Sequence, residues 1–222
     1  MRSQGPDSQA DRLVLILGGA RSGKSAFAER LARESGRDVI FLATAMPSDE
    51  EMRARIAAHR QARPATWRTI EAPLRPSRAL AKLGGFEGVV LLDCLTLLCS
   101  NLLLALDPAA QHEGHAVAAA EPSHLSDLEG TTVEERALAE VRALLEVHRA
   151  GRYALIVVSN EVGLGLVPAY PLGRAYRDLL GRANQLVAAA AGRVYFMVAG
   201  LPVDVKRLAL EAGLPASSAP AR

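Results

Sequence analysis

The chain has 222 residues, of which 50% are apolar and 23% are charged, and its formal net charge is +2 at pH 7. This length and composition are typical of a globular protein with one domain and a sizeable core. Neither a nucleic-acid nor a membrane partner is expected, because the net charge is small and only 4% of the residues are aromatic.

Short apolar runs alternate with helical patterns along most of the chain. Five of these runs are apolar on both faces, as in parallel strands that helices cover from both sides. Helical patterns lie between them, including a long one over about 171–191. This alternation predicts a doubly wound α/β fold with a mostly parallel sheet. The runs lie at 12–17, 38–44, 88–93, 153–160 and 194–200.

The first run leads into GGARSGKS at 18–25, which matches the P-loop pattern G-x-x-x-x-G-K-[ST] at every fixed position. In this motif, backbone N–H groups and the N-terminus of the following helix bind the phosphates of a nucleotide. We expect Lys24 to reach the β- and γ-phosphates and the Ser25 hydroxyl to bind Mg²⁺. The nucleotide contacts predicted from the motif are Gly18, Gly19, Ala20, Arg21, Ser22, Gly23, Lys24 and Ser25.

Two pairs of residues have the spacing of a capping box and predict helix starts. Ser48 with Glu51 predicts a helix that begins at Asp49. The helix ends before Pro64, because proline cannot continue it. Thr132 with Glu135 predicts the start of a second helix.

His59 lies in the first of these predicted helices and has two interpretations. Met52, Ile56 and His59 fall at i, i+4 and i+7, so the imidazole continues an apolar stripe and could be a packing residue. Arginines also lie one and four residues away. Nearby positive charge favours a neutral, nucleophilic imidazole, and the same arginines can bind phosphate oxygens. The spacing alone leaves both the packing role and a nucleophilic role open.

Asp93 ends the third apolar run, GVVLLD. In a P-loop site, the metal has a second ligand besides the serine hydroxyl, a carboxylate at the end of another buried strand. We therefore expect Asp93 to bind Mg²⁺ together with Ser25. An aspartate at this position can instead cap the helix that follows.

Cys94 and Cys99 are the only cysteines of the chain. Their spacing fits no metal site, and two cysteines are too few for a disulfide scaffold, so we expect buried, reduced thiols. The polar residues 1–11 lack the pattern of a signal peptide, and no apolar run is long enough to span a bilayer. These features favour a cytoplasmic protein.

Residues 107–130 interrupt the alternation and are rich in Ala, Gly, Pro and Ser. His112, His115 and His124 lie here, but their irregular spacing and the lack of a nearby cysteine argue against a metal site. We expect a flexible surface insertion. The predicted organisation is a disordered extension at 1–11, one domain at 12–207 and a tail at 208–222.

Five stretches in this order resemble one enzyme family: GGARSGKS, FLATA, RIAAHRQARPATWRTIEAP, LLDCLTLLCSNLLLA and VSNEVGLGLVPAYPLGRAYRDLLGRANQ. They are similar to the bifunctional adenosylcobinamide kinase / adenosylcobinamide-phosphate guanylyltransferase of cobalamin biosynthesis. The resemblance covers about 13–206 and is most specific at 55–67 and 160–168. It implies a P-loop NTPase-type α/β domain with three layers and a mostly parallel central sheet, assembled as a homotrimer. The two ends and the insertion depart from the family's compact form.

The resemblance implies two activities. The enzyme would phosphorylate the aminopropanol hydroxyl of adenosylcobinamide with ATP or GTP, and then transfer GMP from GTP to the new phosphate, with Mg²⁺ as cofactor. The transfer would go through a guanylylated histidine, which the motif match places at His59. This favours the nucleophilic interpretation of that residue over the packing one.

The resemblance also implies further binding residues. Glu71 would accept hydrogen bonds from guanine or ribose, or is simply an exposed acid at a strand end. Asn160 and Glu161 follow a strand, where α/β folds place ligand-binding loops, and have either a substrate role or a turn-forming one. The remaining implied nucleotide contacts are Ala43, Thr44, Ala45, Arg60, Gln61, Ala62, Arg63 and Asp93.

Two other functions stay open on the residues alone. A simple small-molecule kinase would use Lys24, Ser25 and Asp93 for γ-phosphoryl transfer, with His59 in a structural role. A nucleotide-dependent switch would bind nucleotide and present its bound state to a partner. Covalent labelling by α-labelled GTP separates both from guanylyl transfer.

Overall fold

The computed structural model describes residues 12–47, 49–61, 63–106 and 132–215. Within these residues, a seven-stranded sheet has helices on both faces. The strands are β1 (Leu13–Gly18), β2 (Val39–Ala43), β3 (Arg68–Glu71), β4 (Val89–Asp93), β5 (Ala154–Val158), β6 (Arg193–Val198) and β7 (Leu201–Asp204). The helices are α1 (Lys24–Glu34), α2 (Glu50–Gln61), α3 (Pro76–Ala81), α4 (Leu95–Leu106), α5 (Val133–Ala150), α6 (Pro171–Ala190) and α7 (Val205–Glu211).

The sheet has the strand order β3-β2-β4-β5-β1-β6-β7, and only β7 pairs antiparallel with its neighbour. All five predicted apolar runs form strands, so the mostly parallel sheet is confirmed. The strands β3 and β7 were not predicted. Each has four residues and none of them is buried, because these are the edge strands and lack the two-sided apolar pattern.

Successive strand residues alternate between two separate cores, as the pleat of a strand requires. Leu15 and Leu92 belong to the core beneath α3, α4, α5 and α6. Ile16 and Leu91 belong to the core beneath α1, where Phe27 is buried. The predicted three-layer α/β fold is therefore confirmed.

The parallel pairing places the carboxyl ends of four strands at one edge of the sheet. Asp93 is aligned with Ala43 on one side and with Val158 on the other, and Ile16 is aligned with Val158. Because loops that leave parallel strands at this edge lie side by side, the P-loop meets the segments that follow β2, β4 and β5.

The two predicted capping boxes have different outcomes. The second is confirmed, because Thr132 Oγ1 accepts a hydrogen bond from the Glu135 N–H at 3.2 Å and the Glu135 carboxylate accepts one from the Thr132 N–H at 3.0 Å. The first is wrong. Asp49 Oδ1 accepts the hydrogen bond of the Met52 N–H at 2.7 Å, so α2 begins one residue later, at Glu50. Aspartate caps a helix as well as serine does.

Several predictions fall wholly or partly outside the described residues: those for 1–11, Ser48, Ala62, 107–130 and the end of the tail. The predicted domain boundary at 207 lies inside α7, which continues to Glu211. Among the described helices, none combines the length and apolar character needed to cross a membrane.

The prediction of reduced thiols is confirmed. Cys94 and Cys99 are both free; Cys99 is buried and Cys94 is half-buried. Burial raises the pKa of Cys94 to about 11 and the pKa of Cys99 to about 12, so both remain protonated at neutral pH.

Candidate nucleotide site

A cavity of about 790 Å³ opens at the carboxyl edge of the sheet. The P-loop lines one side, the ends of β2 and β4 line its floor, and α2 lines the side opposite the P-loop. The cavity brings together predicted residues that are far apart in the sequence. They are Ala20, Arg21, Ser22, Gly23, Lys24, Ser25, Ala43, Ala45, His59, Arg60, Arg63, Glu71, Asp93 and Asn160.

The shape of the P-loop depends on glycine at two positions. Gly23 has φ +94, a left-handed conformation that residues with side chains rarely adopt. A Cβ atom at Gly18 would lie 2.7 Å from Ser22 Oγ and 2.8 Å from the Met197 carbonyl oxygen. The loop can therefore close tightly before α1 begins at Lys24, and the N-terminus of α1 faces the cavity.

Lys24, Ser25 and Asp93 form the polar floor of the cavity. Lys24 Nζ donates to the Gly19 carbonyl oxygen at 2.5 Å, and burial lowers the pKa of this lysine. The Ser25 hydroxyl is hydrogen-bonded to the Asp93 carboxylate. Burial raises the pKa of Asp93, and the Ser25 hydrogen bond with the neighbouring positive charges only partly opposes this. Burial thus disfavours the charged forms of Lys24 and Asp93, and a bound group of opposite charge would stabilise each of them.

Asp93 does not cap the helix that follows it. The Cys94 carbonyl oxygen accepts from the Leu98 N–H at 3.2 Å, and Cys94 Sγ accepts from the Leu97 N–H at 3.5 Å. Thr44 Oγ1 makes two hydrogen bonds with the backbone of Cys94. It donates to the carbonyl oxygen at 2.7 Å and accepts from the N–H at 2.8 Å. The Asp93 carboxylate is therefore left to face the cavity.

Four predicted nucleotide contacts in the described residues, Gly18, Gly19, Thr44 and Gln61, do not line the cavity. Thr44 is fully buried, and its backbone carbonyl accepts a hydrogen bond from Asn101 Nδ2 at 2.8 Å. Its hydroxyl joins the end of β2 to the start of α4, which is a structural contact. Gln61 is exposed at the end of α2.

His59 is exposed and lines the rim of the cavity, so the packing interpretation is wrong. Its stripe partners Met52 and Ile56 are only half-buried and line the same cavity. Next to it, an Arg60 guanidinium nitrogen lies 3.8 Å from a Glu71 carboxylate oxygen, which links α2 to β3. The stripe predicted on α2 therefore faces the cavity and not a core.

Arg63 is positioned by an aromatic residue that the sequence did not indicate as part of a site. Its guanidinium carbon lies 3.2 Å from the centroid of the Phe41 ring, in a cation–π contact. Arg63 Nε is buried and has no hydrogen-bond partner among the described residues. Phe41 was missed because it belongs to a strand that reads as core throughout.

Glu29 does not line the cavity, but its carboxyl group lies close enough to interact electrostatically with residues that do. Burial raises the pKa of its carboxyl group, while Arg63 and His59 act in the opposite direction. Glu29 follows Ser25 by four residues on α1, so both lie on one face of the helix. That spacing is the signal that could have identified it.

Asn160 and Glu161 differ in their surroundings. Asn160 lines the cavity, and its N–H donates to Thr96 Oγ1 at 2.7 Å. The Glu161 carboxylate accepts from the Gly163 N–H at 2.7 Å and does not line the cavity. This hydrogen bond corresponds to the turn-forming alternative for Glu161.

The fold and the site together define a P-loop nucleotide-binding protein. The family model described as cobinamide kinase / cobinamide phosphate guanyltransferase matches residues 14–205. The chain belongs to this family of transferases, and the family resemblance predicted from the sequence is confirmed.

Curated relatives agree over nearly their whole length. The chain is 44% identical over 192 residues to the bifunctional adenosylcobalamin biosynthesis protein CobP of Pseudomonas aeruginosa, which covers 86% of this chain and 96% of that protein. It is 37% identical over 194 residues to the bifunctional protein CobU of Escherichia coli, covering 87% of this chain and 99% of that protein. Solved structures are far more distant. One is the RadB recombinase, with a TM-score of 0.41 and 12% identity over 83% of this chain and 73% of that one, too little for any inference.

Proposed function

We propose that this transferase phosphorylates adenosylcobinamide with ATP or GTP and then transfers GMP from GTP to adenosylcobinamide phosphate, giving adenosylcobinamide-GDP. His59 is the residue that carries GMP between the two substrates. The single observation that supports this role is the position of His59, which lines the same cavity as Lys24 of the P-loop. A nucleotide bound to the P-loop would therefore extend its phosphates toward a nucleophile.

The guanylyl transfer takes place in two displacements. A ring nitrogen of His59 attacks the α-phosphorus of GTP, the bond from the α-phosphorus to the bridging oxygen breaks, and pyrophosphate leaves. The P-loop N–H groups and Lys24 stabilise the charge of the leaving pyrophosphate. A phosphate oxygen of adenosylcobinamide phosphate then attacks the same phosphorus. The P–N bond breaks, and His59 is regenerated as a neutral imidazole.

The basic residues next to His59 support the same step. Arg63 lies against the Phe41 ring and lines the cavity, so its guanidinium group can donate to a phosphate oxygen. Arg60 and Glu71 lie at the end of the cavity near β3. We assign Glu71 to hydrogen bonds with guanine or ribose, because its carboxylate is the acceptor that those N–H and O–H groups need.

Ser25 and Asp93 suit a Mg²⁺ ion that accompanies the nucleotide. Ser25 and Asp93 both line the cavity, and Mg²⁺ is usually held by one or two protein oxygens together with substrate phosphates. When bound, the ion would neutralise phosphate charge. Deprotonation of Asp93, whose pKa burial raises, would favour its binding.

The proposal extends to the assembly and location of the enzyme. We propose a homotrimer of the domain at 12–207, located in the cytoplasm. The two free thiols support a reducing compartment. Sedimentation equilibrium tests the assembly directly, with a mass of three chains expected.

Labelling with nucleotide tests the proposed reaction. The protein is incubated with Mg²⁺ and GTP labelled at the α-phosphate, denatured and analysed for bound label. We expect label that is stable in alkali and labile in acid, as in a phosphoramidate, and that is absent in His59→Ala. His124→Ala, which changes a histidine of the predicted insertion, is the control and should label normally.

The same experiment separates the alternatives. A simple kinase would transfer only γ-label to the corrinoid and leave the protein unlabelled. A nucleotide-dependent switch would bind GTP and give neither product. Absence of label from the wild-type protein would overturn guanylyl transfer through a histidine.

A further inference from the structure

The loop at 162–170 exposes large apolar side chains beside the cavity. Its sequence, VGLGLVPAY, has no charged residue. Leu164 is 81% exposed, Leu166 97%, Val167 64% and Tyr170 63%. Single exposed apolar residues are common on protein surfaces, but four in seven residues indicate a binding surface.

The backbone of this loop is held in place by hydrogen bonds at both ends. At the start, the Glu161 carboxylate accepts from the Gly163 N–H at 2.7 Å. At the end, Arg174 Nη1 donates to the carbonyl oxygens of Pro168 at 3.1 Å and Ala169 at 2.7 Å. The apolar side chains are therefore presented to solvent by a fixed backbone.

The loop leaves the sheet next to the P-loop. The Ser159 N–H donates to the Ile16 carbonyl oxygen at 2.9 Å, and the Glu161 N–H donates to the Gly18 carbonyl oxygen at 3.1 Å. Asn160, between these two anchors, lines the cavity. The apolar surface and the nucleotide site are thus joined through three consecutive residues.

We propose that this loop binds the corrin macrocycle of the cobinamide substrate through Leu164, Leu166, Val167 and Tyr170. The inference rests on the proposed function, because it takes a corrinoid as the phosphate acceptor. A corrin ring is a broad, largely apolar macrocycle whose side arms carry amides, so an uncharged apolar surface matches its face. The acceptor hydroxyl lies on a short arm of the ring. The ring must therefore lie close to the cavity when the hydroxyl reaches the phosphate held by Lys24.

A second exposed apolar surface in the described residues, on α7, does not meet this distance requirement. Since β7 runs antiparallel to β6, it leads away from the carboxyl edge, and α7 begins at the opposite edge. There Lys206 Nζ donates to the carbonyl oxygen of Ala191, which precedes β6. Leu208 and Leu210 of α7 are 52% and 63% exposed and two residues apart, like Leu164 and Leu166. They provide a matched control far from the cavity.

The test compares Leu164→Ser/Leu166→Ser with Leu208→Ser/Leu210→Ser. Cobinamide binding is measured by equilibrium dialysis from the absorbance of the corrin ring, and the KM for cobinamide is measured in the kinase reaction with ATP. We expect the loop variant to raise both Kd and KM roughly 10- to 100-fold, as the loss of two leucines that the ring covers about halfway implies. Its kcat, its KM for ATP and its GTP labelling of His59 should stay unchanged, because only substrate binding is removed.

Three results would overturn the inference. One is an unchanged cobinamide Kd in the loop variant, and another is an equal rise in the α7 variant. The third is a loss of oligomeric mass in the loop variant that accounts for the change in Kd, since the loop would then contact a second copy of the chain. Failure of the proposed function gives a different pattern, in which wild-type protein binds cobinamide but takes up no GMP from GTP.

Discussion

Two histidines of this protein share a His-Arg dipeptide at the end of a helix and have opposite surroundings. His59 and Arg60 lie in the last turn of α2, and His148 and Arg149 lie in the last turn of α5. His59 is exposed at the rim of the cavity, whereas His148 is only 3% exposed and packs against the Tyr153 ring, with centroids 5.5 Å apart. The same dipeptide at the same place in a helix therefore has two different surroundings.

The difference comes from what each helix packs against. Helix α5 buries Ala137, Val141 and Leu144 in the larger core, and His148 in its last turn is buried as well. In α2, none of the side chains that the structure describes is buried, and its half-buried residues line the cavity. A neighbouring arginine does not make a histidine a nucleophile. Exposure to the phosphate-binding edge of the sheet supports that role.

The largest effects should separate the two histidines completely. His59→Ala should abolish labelling by α-labelled GTP and leave the free energy of unfolding unchanged, because the side chain is exposed. His148→Ala should retain labelling and lower the free energy of unfolding by about 3 kcal/mol, as expected for a large buried side chain. Urea unfolding and GTP labelling measure the two properties. Loss of labelling in a stably folded His148→Ala would contradict the comparison.

Substitution of Lys24 should slow the guanylylation of His59 although the imidazole itself is unchanged. Lys24→Ala should lower the rate of His59 guanylylation on the order of 100- to 1000-fold, because pyrophosphate loses its nearest cation. The control is Lys206→Ala, since Lys206 also donates to a backbone carbonyl and burial also lowers its pKa. Initial rates of GMP incorporation give the result. Equal rates in the two variants would show that His59 reacts without the P-loop.

Acid should destabilise the fold through His148. Burial, with Arg12 and Arg149, lowers the pKa of His148 from 6.5 to about 4. The unfolded state therefore takes up this proton first. The stabilising contribution is complete above pH 6.5 and is lost as the pH falls from 6.5 to 4, by about 3 kcal/mol.

Urea unfolding over this pH range measures the effect. His148→Leu should flatten the pH dependence relative to the wild type. A His148→Leu variant with the acid dependence of the wild type would show that the proton is bound elsewhere.

The smallest effect should come from the ion pair next to His59. Arg60 and Glu71 are exposed and lie 3.8 Å apart, so their contribution to folding is screened by water. Glu71→Gln should change the free energy of unfolding by at most about 0.5 kcal/mol. A change of several kcal/mol in urea unfolding would mean that α2 depends on this contact for its position.

Local sequence patterns correctly predicted the elements whose structure depends mainly on their own residues. The five central strands are apolar on both faces, and the P-loop is a continuous motif, so both could be identified from sequence. The edge strands β3 and β7 have no such pattern, because each lies at a border of the sheet. The predicted start of α2 was one residue too early, since Ser48 and Asp49 are both residues that favour a cap.

The site was only partly predictable because much of it depends on tertiary contacts. Residue spacing left His59 between packing and chemistry, and the family resemblance was needed to decide. Phe41 reads as core, yet one face of its ring holds Arg63. Thr44 lies in a segment implied to contact nucleotide, but its hydroxyl is used by Cys94. No one-dimensional pattern reports which neighbour a side chain will meet across the sheet.

The most direct test of the central claim is to locate GMP on the protein. Trypsin cuts after the arginines at 55 and 60 and releases the peptide IAAHR, in which His59 is the only nucleophilic side chain apart from arginine. After incubation with Mg²⁺ and GTP and digestion in alkali, mass spectrometry should find one GMP on this peptide, and brief acid treatment should remove it. GMP on any other peptide, or on none, would contradict the role of His59.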